Sequence, residues 1–524
     1  MTQEPASSYD ATPYESYAVA GSHPDLLAVM ASLSGMQPAP VTACRVLELG
    51  CAAGGNLIPL AAQFPHSSFT GVDFSAVQIA EGAALIEQLK LKNIRLLQQS
   101  ILEVENGEYD YIIAHGVYSW VADPVKEKIL SLCARQLAPQ GVAYVSYNTY
   151  PGWHFRGVIR DMMLYHTRDL REPKDRVAQA RGLLDFLSQS AAAETAYGKM
   201  LGEEADFLRK QKDYYLLHDH LEEANHPLYF HEFAERAAQQ GLRYLGDSSI
   251  SAMMPSNFAP QVREALKQIS HDIVRTEQYI DFLRNRSFRQ TLLCRGDVAL
   301  TRVIGPQDMT RYLIGSAAKR AAAETGGADG AGKPERFVTP AGAYITAGSP
   351  LIKAAFDCLE EAWPQSLAFE ALLAQAVERG DLPRGAANHA AQRAILGTDM
   401  VSALSAGIIE LRLTRLDFIT RVSDRPVASE LVRLQAAKGR MVTNQRHEPI
   451  ELDDLNRHLI QCVDGKHDRA ALVEKLSALV ASNTLSALQP DGKPFTKDAE
   501  LRAALSRTID SGLAGFAKTA LLVG

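Results

Sequence analysis

From Val46 an apolar run, Val46-Leu47-Glu48-Leu49, enters a turn made almost wholly of small residues, Gly50-Cys51-Ala52-Ala53-Gly54-Gly55-Asn56, and a helix-forming segment follows. Such a turn lets backbone lie directly against a ligand, because Gly50 and Gly54 carry no side chain to hold it away. About twenty-five residues later, Val72-Asp73-Phe74-Ser75 puts an acid at the carboxyl end of the next strand, where a carboxylate can accept hydrogen bonds from ribose hydroxyls. A glycine-rich turn alone is commonly only a turn. Strand, turn, helix, strand and acid in this order describe a nucleoside site far more specifically.

The surrounding pattern is that of a parallel sheet covered by helices on both faces. Strands are expected at Arg45–Leu49, Ser68–Val72, Ile94–Gln98, Tyr109–Ala114 and Val142–Tyr147, with helices at Asn56–Gln63, Ala76–Leu89 and Val125–Leu137. The fold class is therefore α/β: a doubly wound, Rossmann-like sheet. A helical stretch from Arg156 to Leu217 and an α-rich unit ending near Arg302 follow, the latter with a short strand at Arg243–Leu245. The stretch Glu324 to Glu335, crowded with Gly, Asp and Pro, reads as a linker. Two small α+β modules, each a hairpin with short helices, have a winged-helix-like order. The expected divisions are 1–155, 156–217, 218–302, 336–425 and 426–524.

At 524 residues, 46% hydrophobic and 22% charged, the chain should form several packed domains. A formal charge of -7 supplies no general basic field, so nucleic-acid binding is not expected. The polar, acidic start and the lack of a long apolar run speak for a cytoplasmic protein without membrane insertion. The six cysteines are scattered singly, which favours buried free thiols over disulfides or a zinc ribbon.

The turn also selects the ligand. Gly-x-Gly-x-x-Gly would lead a helix onto a pyrophosphate, whereas this chain has an acid followed by Gly-x-Ala-x-Gly, with no pyrophosphate to bind. This order resembles the class I methyltransferases, and the resemblance implies S-adenosylmethionine as the cofactor: Glu48 toward its methionine end, Asp73 on the ribose, and Ser100-Ile101 at the third strand's end, where a serine stands in a position at which that superfamily often carries an acid. The cofactor set is Glu48, Gly50, Cys51, Ala52, Gly54, Asn56, Asp73, Phe74, Ser100 and Ile101.

Two further stretches, His115-Gly116-Val117-Tyr118-Ser119-Trp120-Val121 and Ala143-Tyr144-Val145-Ser146-Tyr147-Asn148-Thr149-Tyr150-Pro151-Gly152-Trp153, go beyond that general pattern. With Tyr14 to Pro24 and Tyr215 to Leu245, they resemble class I methyltransferases carrying the methyltransferase regulatory domain, a group that includes protein-lysine methyltransferases acting on bacterial outer-membrane proteins. The resemblance implies a seven-stranded sheet, a protein substrate, a possible homodimer, and Tyr14 folding over the cofactor as a lid.

Methyl transfer needs a nucleophile in line with the methyl group, about 3 to 3.5 Å away. A lysine, of reference pKa about 10.4, must first become neutral, which an aromatic pocket or a hydrogen-bond acceptor favours. Tyr118, Trp120, Tyr147 and Asn148 are candidate pocket residues, and His115 a candidate base or orienting group that also borders the cofactor; packing is the competing role for the aromatics. His218, Asp219, His220, Glu222, His226 and His231 have metal-ligand chemistry, but on a helix His218 and His220 point to different faces, no HExxH-like pair occurs, and the run coincides with the regulatory domain that the resemblance implies, so no metal is expected. The rival functions are a small-molecule methyltransferase and a cofactor-sensing protein without turnover.

Overall fold

The computed structural model describes residues 15–321, 334–486, 495 and 497–524. Seven strands form one sheet: β1 (Arg45–Leu49), β2 (Ser68–Asp73), β3 (Ile94–Gln98), β4 (Tyr109–Ala114), β5 (Leu137–Asn148), β6 (Leu242–Asp247) and β7 (Phe288–Arg295), in the order β3-β2-β1-β4-β5-β7-β6. The first five run parallel, and β7 is antiparallel to both β5 and β6. The central strands are apolar on both sides because both faces are covered. Val46, Tyr111, Val142 and Tyr144 pack toward α1 (Pro24–Leu33) and α2 (Leu57–Gln63). Leu47, Ile112, Ala143 and Val145 pack toward the face covered by a helix at Asp123–Gln136. The helix after β2, α3 (Ala76–Gln88), is capped by Ser75, whose hydroxyl accepts from Gln78 N. The Asp123–Gln136 helix is α4.

The strands expected from β-branched runs are all present, yet the sheet does not end at residue 155. β6 and β7, expected within a separate α-rich unit, complete it. The composition of β7 explains why it escaped notice: Arg289, the second of its eight residues, puts a charge at the start of the strand. Its guanidinium is fully buried because Nε reaches Asp281 Oδ2 at 2.7 Å, Nη2 reaches Glu277 Oε2 at 3.0 Å, and the group lies 3.8 Å from the centre of the Phe230 ring. A buried charge survives only when paired this closely.

Between β5 and β6 lie α5 (Gly152–Thr167), α6 (Pro173–Ser190) and α7 (Ala196–Arg209), which share a core including Ile159, Met163, Leu184 and Leu201. A π turn, Leu216–His220, buries His218 and His220, and burial pushes the His220 imidazole down to about 3. α8 (Phe230–Gln239) precedes β6; α9 (Pro260–Ile269) and α10 (Ile273–Arg284) precede β7.

A second correction concerns the linker. Lys319–Arg320, before it, pairs with Val338 and Phe337, after it. Leu313–Gly315 likewise pairs with Glu410–Arg412 and Leu367–Ala368. The stretch 324–335 is therefore a connection inside one module rather than a boundary, and that module reaches back to Met309 and Tyr312, which join Phe337, Phe356 and Leu411 in its core. Residues 324–333 lie outside the described residues.

The last module holds a hairpin, Met441–Thr443 with Pro449–Glu451, against helices Glu430–Lys438, Asp454–Gln461, Arg469–Ala481 and Asp498–Lys518. The middle module meets the methyltransferase unit at α1, where the Asp25 carboxylate accepts from Thr414 N at 2.9 Å and Leu413 N at 3.3 Å. Five cysteines are buried and Cys462 is half-buried, all as free thiols. Among the described residues no helix is long and apolar enough to cross a membrane.

Replacing Arg289 strands two buried carboxylates. Arg289→Leu is expected to cost about 3–5 kcal/mol of stability, read as a lowered urea midpoint; an unchanged midpoint would show that the cluster does not hold β7 to α10.

Candidate active site

Strand order reverses between β1 and β4, so their carboxyl ends diverge and leave a crevice, the usual ligand position in an open α/β sheet. The β1 turn comes very close to the β4 turn here. Gly50 has φ +75°, and a Cβ added to it would fall 2.3 Å from Val117 Cγ2, so both backbone angle and space require glycine. Gly54, with φ +74°, donates to Cys51 O at 2.8 Å and closes the turn. Cys51 is buried, and its thiol is pushed up by burial, so it packs rather than reacts.

Glu48, the last but one residue of β1, points into the interior. Its Oε1 accepts from Asn56 Nδ2 at 2.9 Å, whereas Oε2 has no partner among the described residues. Burial pushes this carboxyl up to about 8. A buried carboxylate oxygen left open is the acceptor that the ammonium at a cofactor's methionine end needs.

Asp73, half-buried, ties the two turns together: Oδ2 accepts from Ala52 N at 2.8 Å and Oδ1 from Ser75 N at 2.9 Å. Each oxygen keeps a second lone pair for a hydroxyl. Ala52 takes φ +48° to make its contact, a backbone angle that residues other than glycine seldom adopt. Beside Asp73 the Phe74 ring is 60% exposed, a flat apolar surface at the crevice. Ser100 and Ile101, both half-buried, begin a helical turn; the Ser100 hydroxyl accepts from Leu102 N, so it caps that turn. Tyr14 lies outside the described residues.

The acceptor-side candidates separate into two groups. Tyr118 and Tyr147 are 0% and 1% exposed, pack at 5.2 and 4.2 Å ring-centre distances on Phe233, and present no surface to a pocket. Trp120 is half-buried, edge-on to Trp153. Asn148 ends β5, its amide donating to Asn225 Oδ1 at 3.0 Å and its backbone N–H to Ser119 Oγ at 2.8 Å. His115 directly follows β4, with Nδ1 2.9 Å from the Tyr144 hydroxyl and its ring edge-on to Phe288. Burial pushes its imidazole down to about 4, so it is a neutral hydrogen-bonding group near pH 7 and too weak a base to deprotonate an ammonium.

Three further contributors were not singled out from the sequence, although two of them, Ser16 and Val19, lie in the Tyr14–Pro24 segment that the resemblance pointed to. Ser16 Oγ accepts from Gly55 N at 2.8 Å, and Val19 N donates to Asn56 Oδ1 at 2.9 Å, so the segment before α1 lies across the turn. His447, 391 residues away, reaches the same Asn56 oxygen with Nε2 at 2.7 Å. Separation in sequence hides such contacts, and only the turn's glycines hinted at close backbone approach.

An open buried carboxylate oxygen, a ribose-facing acid and a turn that excludes side chains fit an adenosyl cofactor with an amino-acid end. The chain matches family models for a methyltransferase domain over residues 47–143, a predicted methyltransferase regulatory domain over 212–295, and the PKMT C-terminal winged helix domain over 424–521. It is an S-adenosylmethionine-dependent methyltransferase, and it belongs to the PKMT family of protein lysine methyltransferases. PKMT2 from Rickettsia typhi, solved in complex with AdoHcy, is 30% identical with TM-score 0.88, the match covering 98% of this chain and 100% of that one; a second structure of PKMT2 gives 0.87. An uncharacterized protein of Rickettsia prowazekii (strain Madrid E) is 37% identical over 98% of this chain and 93% of its own.

Two outcomes test the site. Asp73→Ala is expected to lose roughly 1.5 to 3 kcal/mol of cofactor binding; calorimetric titration with unchanged affinity would remove Asp73 from the ribose. Because Glu48 is protonated below about pH 8 in the free protein, binding an ammonium beside it must release that proton. Affinity for S-adenosylhomocysteine should thus tighten up to about tenfold per unit from about pH 6 to about pH 7.5, and Glu48→Gln should flatten the profile.

Proposed function

We propose that this enzyme transfers methyl groups to lysine side chains of a protein, with an outer-membrane protein as the acceptor class. The observation that carries the reading is the whole-length likeness to PKMT2, which extends through the helical insert and both accessory modules rather than stopping at the sheet. The complex of that protein with AdoHcy supports the crevice of Glu48, Gly50 and Asp73 as the cofactor site of this one. In the proposed arrangement Glu48 accepts from the amino-acid end, Asp73 holds the ribose, and Phe74, Ser100 and Ile101 border the adenine. When bound, the cofactor supplies its methyl group from a sulfonium.

The residues around the carboxyl edge of β5 then handle the acceptor. A cleft of about 500 Å³ opens there, lined by Gly152, Phe155 and Arg156 of α5, Lys199, Glu203 and Glu204 of α7, and Asn285 and Ser287 just before β7. Asn148 and Phe288 are paired across the sheet beside it, and the Phe288 ring meets His115. In this reading α5 and α7 select the polypeptide, Glu203 and Glu204 attract a cationic side chain, and Trp120, His115 and Asn148 orient the amine. Losing the ammonium proton falls to solvent before the amine enters, since His115 is too weak a base. Tyr118 and Tyr147 act by holding the end of β5 in place. We further infer a homodimer, following the family resemblance, and a cytoplasmic site of action, following the chain's composition.

Radiolabelled S-adenosylmethionine incubated with protein and metabolite fractions of a bacterial lysate should label protein, with mass spectrometry placing the methyl groups on lysine. Label confined to the metabolite fraction would favour a small-molecule acceptor and overturn this reading.

A further inference from the structure

The tip of the winged-helix hairpin is buried inside the methyltransferase unit. Residues Asn444 to Glu448 join its two strands, and His447 is 1% exposed beneath the β1 turn. Gln445 O accepts from Gln63 Nε2 of α2 at 2.9 Å. Arg446 donates to Glu410 and to Pro364 O, and lies 4.0 Å from the centre of the Trp363 ring, so the same tip is bolted to the middle module. Asn444 shapes it from within: its Oδ1 accepts from Arg446 N and Glu448 N, and its Nδ2 donates to Thr519 O. These bonds hold His447 at φ +64°, a backbone angle that a residue with a Cβ seldom adopts.

What His447 does there follows from hydrogen-bond direction. Val19 N is a backbone donor and has no other role, so the Asn56 atom it meets at 2.9 Å is the oxygen. The His447 Nε2 atom, 2.7 Å from that same oxygen, must therefore carry the hydrogen. Burial, with Arg412 nearby, pushes His447 down to about 3, which keeps the ring neutral and in this one tautomer. With both donors on its oxygen, the Asn56 amide cannot turn over. Its nitrogen stays on Glu48 Oε1 at 2.9 Å and on Ser22 Oγ at 3.0 Å, and Glu48 keeps Oε2 open.

We propose that His447 is a positioning residue of the methyltransferase site, through which the C-terminal winged helix orients Asn56 and thereby Glu48 toward the amino-acid end of the cofactor. This rests on the assignment of Glu48 to that end. Removing the donor leaves the Val19 N–H alone on the Asn56 oxygen, so the amide is held less firmly and its N–H is aimed less well at Glu48. The effect is confined to ligands that possess an amino-acid end, because Asp73 and the ribose pocket receive nothing from His447.

That confinement supplies the test. With the full-length chain, calorimetry compares S-adenosylhomocysteine with 5′-methylthioadenosine, which lacks the amino-acid end. His447→Leu should weaken S-adenosylhomocysteine by about tenfold, the scale of one lost buried hydrogen bond, and leave methylthioadenosine within about twofold. His447→Gln, whose amide nitrogen can occupy the place of Nε2, should restore most of the affinity. Equal weakening of both ligands by His447→Leu, or no weakening of either, overturns the proposal, the first as general loss of packing. Glu48→Gln, measured with the same pair, separates the two levels. Selective weakening there without it in His447→Leu sinks the positioning role alone, and no weakening by Glu48→Gln sinks the Glu48 assignment and this proposal together.

Discussion

The ladder between β5 and β7 is the constraint on which the rest of the molecule depends. Ala143 to Asn148 lie opposite Leu293 to Phe288, and the strands run in opposite directions. The start of β7 is thereby brought to the carboxyl end of β5, alongside the ends of β1 and β4. Everything between those strands in sequence, from α5 to α10, has to leave from this edge and return to it. The helical insert consequently overhangs the edge where chemistry takes place. The Arg289 cluster secures the arrangement at this same edge, opposite Tyr147, since α10 supplies both carboxylates that pair with the charge at the start of β7.

At the crevice, the recurring theme is a polar group held in one orientation by donors whose direction is not negotiable. Backbone N–H groups of Ala52 and Ser75 fix the Asp73 carboxylate, the backbone N–H of Val19 fixes the Asn56 amide, and that amide fixes Glu48. None of these bonds is exceptional alone. Together they keep a buried acid half satisfied, which is costly in an apolar interior unless a ligand completes it.

Much of this was legible in the sequence because it is local. The run from Val46 to Asn56 followed by Asp73 carries the strand, turn and acid within one supersecondary unit, and the alternation of apolar runs gave the first five strands. The resemblance carried by His115–Val121 and Ala143–Trp153 led to the family. What stayed hidden depends on distant partners. β7 reads as interrupted by charge until Glu277 and Asp281 are placed beside Arg289. Tyr118 and Tyr147, at strand ends, have the composition of an aromatic pocket, and only the presence of Phe233 turns them into core. The glycine-rich stretch after Glu324 looks like a boundary until Lys319–Arg320 and Phe337–Val338 are seen to pair across it. His447 had no local signal of any kind.

The late completion of the sheet bears on how the enzyme can be dissected. A fragment stopped near residue 155 would keep every glycine and acid of the cofactor turn, yet it would end on β5 as a bare edge, with the backbone groups that Ala143 to Asn148 turn toward β7 unpaired and Tyr147 stripped of Phe233. Open, apolar edges of that kind recruit other chains. The smallest autonomous catalytic piece therefore runs at least through Arg295, carrying the insert with it, so that the region governing acceptor access cannot be trimmed away from the region that holds the methyl donor.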